Sequence, residues 1–263
     1  MTTLAAPLDV RLMNLTATLL FTGCALFALA GGAWWALRHP AFAIARIVVQ
    51  GELAHNNAVT LRANVAPQIS GNFFTMNLQN VRRAFEQVPW VRSAQVQREF
   101  PRTLRVRLTE HHAAAHWGPE SGTAMVNTEG EVFESNGVDD ELEDLQRLDG
   151  PQGSSAQVLA MAQALEPIFE PLGLDITALT LSVRGGWRVT LGEDATVELG
   201  GGTPPEVIAR TQRFAQTLTR VATQFGRRAD ALESADLRHI GGYAVRLRGV
   251  TTVTAQTNAH AAR

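Results

Sequence analysis

One cysteine occurs in the 263-residue chain, Cys24, and it sits inside an apolar run. A lone thiol makes no intramolecular disulfide and excludes a cysteine-based zinc cluster, so the folded part is held together by its core. A basic surplus is also missing. The 23 Lys and Arg stand against 25 Asp and Glu, a net charge of −2, and the basic residues form no block. That excludes the usual electrostatic footprint on phosphates, and no nucleic-acid partner is expected.

Enzyme signatures are absent in turn. The chain has no G-x-S-x-G elbow, no P-loop, no G-x-G-x-x-G loop and no H-E-x-x-H helix. His112 and His116 have the i, i+4 spacing of a helical zinc pair and follow His111, but they come after a predicted strand and have no Glu between them. The acidic stretch from Asp139 to Asp144 lacks the EF-hand spacing and its glycine, so it reads as a solvated loop. Gly200-Gly201-Gly202 before Pro204-Pro205 reads as a turn. Glu110, Glu129 and Glu131 could serve as an acid/base pair on glycan only if the fold gathered them, and no pattern does so. The expectation is a non-enzyme with no metal, no cofactor and no small-molecule substrate.

What is present is a long apolar run. No charge falls between Arg11 and Arg38, and the stretch includes Leu15, Leu19, Phe21, Leu26, Phe27, Trp34 and Trp35. As a helix it reaches roughly 39 Å, enough for a hydrocarbon core of ~30 Å. Ala28-Leu29-Ala30 resembles a signal cleavage site, but signal h-regions are shorter and this run continues through Trp34-Trp35-Ala36-Leu37. A retained single-pass membrane helix over 12–37 is therefore expected, with membrane lipid as its partner. Charge does not set its orientation. The asymmetry between an eleven-residue head and the long tail favours a cytoplasmic 1–11 and an external bulk.

Beyond the helix the periodicity changes. Ile47 and Val49 alternate with polar neighbours in a short strand ended by Gly51; Asn56 or Asn57 caps a helix carrying Leu61, Val65 and Ile69. Leu78, Val81, Phe85 and Val88 line a second helix, stopped by Pro89. Two strands follow, Val91 to Phe100 and Thr103 to Thr109, the second with Leu104, Val106 and Leu108 in period-two alternation. This strand-helix-helix-strand-strand order, with Ile47-Val48-Val49-Gln50-Gly51, Gly71-Asn72-Phe73-Phe74, Pro89-Trp90-Val91 and Arg98-Glu99-Phe100-Pro101-Arg102-Thr103-Leu104, resembles a POTRA domain, spanning 43–112. Trp90 is expected in its core, bridging the second helix to the next strand.

Residues 113–250 read as a strand-rich α+β domain with an antiparallel sheet. A hairpin is predicted around Thr128-Glu129-Gly130, and a helix through Leu159, Ala162, Leu165, Phe169 and Leu172. Strands follow at Leu179 to Val183, Trp187 to Leu191 and Val197 to Leu199. A long helix opens after Pro204-Pro205, with Val207, Thr211, Phe214, Leu218, Val221 and Phe225 on one stripe. Two last strands, Ala235 to Ile240 and Tyr243 to Arg248, flank Gly241-Gly242. A terminal strand of this kind is expected at a sheet edge, where unpaired backbone groups recruit a partner by strand addition. The tail 251–263 is expected to be disordered.

Read together with Met125-Val126-Asn127…Gly130-Glu131-Val132-Phe133, Leu148-Asp149-Gly150-Pro151, Gly186-Trp187-Arg188-Val189-Thr190-Leu191 and Asp236-Leu237-Arg238, the whole chain resembles the FtsQ/DivIB family of bacterial cell-division proteins. The resemblance implies a non-catalytic divisome scaffold in the inner membrane at the septum, with a cytoplasmic N-terminus and a periplasmic C-terminal domain. It implies binding of FtsB and FtsL and a share in controlling the septal peptidoglycan synthase. The partner site it implies is the terminal strand region, Arg238, His239, Gly241, Tyr243, Val245 and Leu247. His239 stands where the family often has tyrosine and Leu247 where an aromatic is expected, so the side-chain anchors differ. The competing reading is a POTRA-containing envelope transport or outer-membrane assembly factor, which would carry a C-terminal barrel. Residues 112–250 lack the lipid-facing alternation a barrel needs. A membrane-anchored hydrolase, the third class, would depend on His112 or Glu131.

Overall fold

The computed structural model describes residues 8–51, 53–135, 140–239 and 241–250; the expected tail 251–263 and most of the expected cytoplasmic head lie outside them. The chain divides into two compact units at Glu110/His111, and each has its own core.

The first unit begins with α1, Leu8–Leu37, a 30-residue helix. At 1.5 Å per residue it is about 45 Å long. It starts before the uncharged run, because Asp9 in its first turn favours the positive end of the helix dipole. Leu12, Leu19, Phe21, Phe27 and Trp35 all project away from protein, Phe27 at 83% exposure. No stripe faces a core, and the helix is long and apolar enough to cross a membrane. It ends where Pro40 begins a 3-10 turn over Pro40–Phe42, with His39 Nδ1 accepting from Ala41 N at 3.2 Å.

The strand-helix-helix-strand-strand order then appears as β1 (Arg46–Gly51), α2 (Ala58–Val65), α3 (Leu78–Glu86), β2 (Val91–Glu99) and β3 (Thr103–Glu110). β3 is central, parallel to β1 and antiparallel to β2. Asn57 caps α2 by accepting from Thr60 N at 2.8 Å, and Asn77 does the same for α3 through Gln79 N. Leu104, Val106 and Leu108 are buried under Leu61, Val65, Val81 and Phe85 of the two helices, while Arg105 and Arg107 face outward. Trp90 takes a positive φ of 68° that few non-glycine residues adopt. It is buried and stacks on His55 with ring centroids 3.8 Å apart. Beside them the buried Glu110 carboxylate accepts from Ala54 N (3.0 Å), His55 N (3.1 Å) and Asn56 Nδ2 (2.9 Å). Those bonds fix the loop between β1 and α2.

Among the described residues, the second unit is a nine-stranded sheet with the helices α5 (Ser155–Phe169) and α6 (Pro204–Gln224) packed on one face. Its elements are β4 (Ala113–Trp117), β5 (Ala124–Asn127), β6 (Val132–Glu134), the short α4 (Asp140–Glu143), β7 (Arg147–Asp149), α5 (Ser155–Phe169), β8 (Ile176–Leu181), β9 (Trp187–Leu191), β10 (Ala195–Gly200), α6 (Pro204–Gln224), β11 (Leu232–Asp236) and β12 (Ala244–Leu247). Their order across the sheet is β12-β11-β10-β9-β8-β7-β4-β5-β6.

The α+β class holds, but the sheet is mixed where an antiparallel one was expected. The reason lies in the connections. Short turns give antiparallel pairs, including β5–β6, β8–β9 and β11–β12, whereas α5 and α6 carry the chain back over the sheet. The strands on either side of each helix, β7–β8 and β10–β11, therefore run parallel. The β5–β6 excursion likewise makes β4 parallel to β7. Leu165, Phe169, Phe214 and Leu218 of the helices pack on Leu179, Val189, Val197 and Leu232 of the sheet. Two expected core positions fall outside. Val183, 90% exposed, lies beyond the end of β8 at the turn, and Phe225, at the C-cap of α6, is 56% exposed. Phe225 is in phase with Val207 on an ideal helix, but it stands past the last helical residue, Gln224, with a non-helical φ of −103° and ψ of 13°, so the cap turns it outward while Ala222 in the last turn stays buried.

Candidate partner-binding edge

Among the described residues β12 ends the sheet, with β11 on one side and no strand on the other. Its position follows from alternation. Tyr243, Val245 and Leu247 turn toward the helix layer, and Ala244 and Arg246 turn outward. The Tyr243 ring meets Phe214 edge-on, with centroids 4.9 Å apart, and its hydroxyl lies 2.8 Å from Thr217 Oγ1 on α6. Leu247 is buried in the core. Beyond it Arg248 N donates to Ala231 O at 2.8 Å and the Arg248 guanidinium pairs with Asp194 at the same distance. The strand is thus pinned along its inner face and at its far end, while no described strand pairs with its outer backbone edge.

The connection from β11 to β12 is organised by Asp236. Its carboxylate accepts from Arg238 Nε (2.9 Å), Arg238 Nη2 (2.6 Å) and Arg238 N (2.9 Å). These bonds, chiefly the side-chain pair, hold the Asp236 pKa down at about 2 against a smaller opposing effect of desolvation. The same pairing raises the Arg238 pKa. His239 Nε2 lies 4.0 Å from Asp236 Oδ2. Leu237 between them is buried, and its N–H donates to Glu198 O at 2.8 Å, extending the β10–β11 pairing. Gly241 has a φ of 86°, which glycine adopts without strain as the chain reverses. On the outer face, Thr196, Glu198, Ser234, Asp236, Ala244 and Arg246 border a shallow depression of about 260 Å³. Arg188 pairs there with Glu198, and Arg246 with Glu233 at 3.4 Å.

The six residues expected at this site lie together at one end of the sheet, and they divide by direction. Arg238 and His239 face solvent; Tyr243, Val245 and Leu247 pack inward; Gly241 belongs to the turn. The outward Ala244 and Arg246 and the anchor Asp236 were not among the expected residues. The alternation of β12 signals the first two. The histidines at 111, 112 and 116 stay apart in role: His111 stacks on Phe133 at 4.3 Å, and His116 Nε2 lies 2.8 Å from Leu142 O. Among the described residues no three His, Cys, Asp or Glu side chains come together as a metal would need.

Residues 42–111 match the model of the POTRA domain, FtsQ-type, and residues 115–238 match that of the cell division protein FtsQ/DivIB C-terminal domain. The second match stops just before β12. The chain is similar to the cell division protein FtsQ of Thiomonas arsenitoxydans, 37% identical over 93% of this chain and 89% of the relative. It is similar to that of Burkholderia pseudomallei, 36% identical over 94% and 96%, and to that of Bordetella pertussis, 37% identical over 91% and 92%. Two domain matches in series, and relatives of that identity along nearly the whole length, show that the chain belongs to the FtsQ/DivIB family of cell division proteins.

Proposed function

We propose that the chain is a non-catalytic scaffold of the division machinery, anchored by α1 through the inner membrane with its N-terminus inside and both folded units outside at the septum. The open edge of β12 accepts an extended segment of FtsB as one further strand. FtsL is held in the same complex, and through them the scaffold bears on the septal peptidoglycan synthase.

The observation that carries this reading is the construction of β12. Its inner face is committed to α6 through Tyr243 and to the core through Leu247, so its outer backbone groups are presented without freedom to collapse inward. Strand addition takes its affinity from those main-chain groups and its selectivity from alternate side chains, here Ala244 and Arg246 on one face. The charged Arg246 at the edge is the kind of residue that discourages indiscriminate pairing.

Hydrogen exchange on the full chain in lipid nanodiscs, with and without the extracytoplasmic segment of the same organism's FtsB, tests it. The expected result is slowed exchange at the amides of Ala244 to Leu247. Saturable binding that leaves those amides unchanged would move the site elsewhere, and no binding at all would remove FtsB as the partner.

A further inference from the structure

The end of α1 is built into the POTRA module by side-chain and backbone bonds. Asn72 Nδ2 donates to Leu37 O, the carbonyl at the helix terminus, and Phe73 N donates to Phe42 O at 2.9 Å. Asn72 is itself held, because its Oδ1 accepts from Phe74 N (3.1 Å) and Thr75 N (3.0 Å). The turn between β2 and β3 lies beside the same segment. Ala45 N donates to Arg102 O at 3.0 Å, and Arg102 Nη1 to Ala41 O at 3.4 Å. Two loops of the module are thereby fixed at the level of the four to eight residues that follow the helix.

Those loops carry aromatic rings that the module does not bury. Phe100 is 78% exposed and Phe74 43%. Phe42 meets Phe74 at 5.0 Å, Phe74 meets Phe73 at 5.2 Å and Phe73 meets Phe100 at 6.3 Å, so the four make one continuous cluster. The charge around it is positive. Arg38 sits 4.1 Å over the Trp34 ring, Arg102 is exposed, and the nearby Glu99 is already paired with Arg105 at 2.7 Å. Trp34 and Trp35 mark the depth at which aromatic side chains favour the membrane interface. Leu37 comes within one turn of them, and with it the cluster.

We propose that this face of the POTRA module rests on the outer surface of the membrane that α1 crosses, with Phe74 and Phe100 in the interfacial layer and Arg38 and Arg102 against lipid phosphates. The occupant of the patch is the bilayer itself. An aromatic-plus-arginine surface of this kind suits an interface where one end of each side chain is apolar and the other wet. The consequence is a module seated at the base of the anchor, so that the direction in which it points is set by the membrane. The inference rests on reading α1 as a membrane span.

The test uses the full chain in nanodiscs of phosphatidylethanolamine and phosphatidylglycerol, with one environment-sensitive label per protein. The label sits at native Cys24, or at Phe100→Cys or Val59→Cys in a Cys24→Ser background. Val59 is the control: it is apolar and 78% exposed like Phe100, but it opens α2 at the end of the module where Asn56 bonds Glu110. A spin label carried by lipid near the headgroup is expected to quench position 100 severalfold more than position 59, and iodide in the water to do the reverse. Quenching of Cys24 by deep lipid labels with equal, water-like behaviour at 59 and 100 would overturn the docking while leaving the anchor in place. Failure of lipid labels to reach Cys24 would overturn both.

Discussion

The Tyr243 hydroxyl and Thr217 Oγ1, 2.8 Å apart, tie the last strand of the sheet to the long helix beneath it. With the Tyr243 ring set edge-on against Phe214, they hold an edge strand in a fixed position while, among the described residues, no strand pairs with its outer side. An edge that must pair with a partner gains from such rigidity, because less ordering remains to be done on binding.

Tyr243→Phe removes only the hydroxyl and is expected to cost about 1 kcal/mol, the scale of one net hydrogen bond. Tyr243→Ala also empties the space against Phe214 and is expected to cost about 3 kcal/mol. Urea unfolding of the fragment beginning at Pro40 checks the pair. Equal losses in the two variants would mean that the ring contact contributes nothing.

Asp236 gives a pH dependence with a defined sign. Its folded pKa, about 2, lies below the ordinary carboxylate value because Arg238 donates to it. The folded state therefore binds this proton less readily than the unfolded state, and the pairing stabilises the fold above the unfolded pKa of about 4. That contribution is lost as pH falls from about 4 through about 2. The stability curves of the parent chain and Asp236→Asn should separate above pH 4 and approach each other toward pH 2. Curves that stay parallel throughout would show that the carboxylate charge has no part in holding the β11–β12 connection.

How far these features are legible in the sequence depends on the range of the interaction. Local signals read correctly: the alternation of Leu104, Val106 and Leu108 and the apolar run of α1 depend on neighbours within a turn or a strand, and the cap, which the sequence narrows to Asn56 or Asn57, is Asn57. The parallel pairs β7–β8 and β10–β11 were not legible, because they are decided by helices that pass over the sheet between them. Spacing alone puts Phe225 on the buried stripe, yet the helix cap turns it outward. At the candidate site the same division appears. The residues of β12 could be found from their pattern, but which of its faces turns inward depends on Phe214 and Thr217 of α6. Asp236 becomes an anchor only because Arg238 folds back onto it.

Glu110 is expected to be a structural carboxylate. It is buried, and it accepts from two backbone N–H groups and from Asn56 Nδ2. Glu110→Ala leaves these donors without their acceptor, at about 1–3 kcal/mol for each one that water cannot reach. Ala54 and His55 are exposed and only Asn56 is buried, so a loss of about 1–3 kcal/mol in the POTRA module is expected, read from unfolding followed through tryptophan fluorescence, since Trp90 stacks on His55 beside it. A change below about 1 kcal/mol would mean that the loop rearranges to satisfy itself.

Gly130 turns the chain between β5 and β6 with a φ of 82°, and a Cβ there would stand 2.6 Å from Ala156 Cα at the start of α5. Its carbonyl accepts from the buried Ser155 hydroxyl at 2.7 Å. Gly130→Ala therefore meets both a left-handed backbone and a backbone clash, and at least about 2 kcal/mol of destabilisation is expected from conformational strain alone. Thermal unfolding of the variant checks this, and an unchanged midpoint would show that the turn and α5 can separate freely.

The edge itself can be tested by proline. In an antiparallel pair, adjacent residues of β12 point their N–H groups alternately toward β11 and away from it. Of Val245→Pro and Arg246→Pro, then, one removes a ladder bond to β11 and the other removes a donor that faces outward. The first is expected to destabilise the fold, and the second to leave stability nearly unchanged while weakening partner binding at least about tenfold, since strand addition depends on those donors. Arg246→Ala separates the side chain from the backbone: it releases the pair with Glu233 but keeps every N–H, so binding should change less than in the proline variant. Binding measured by calorimetry, with stability measured on the same samples, distinguishes the cases. If neither proline weakens binding, the partner does not add to the β12 edge. If Arg246→Ala weakens it as much as proline does, recognition rests on the outward side chain and the added strand is not what holds the partner.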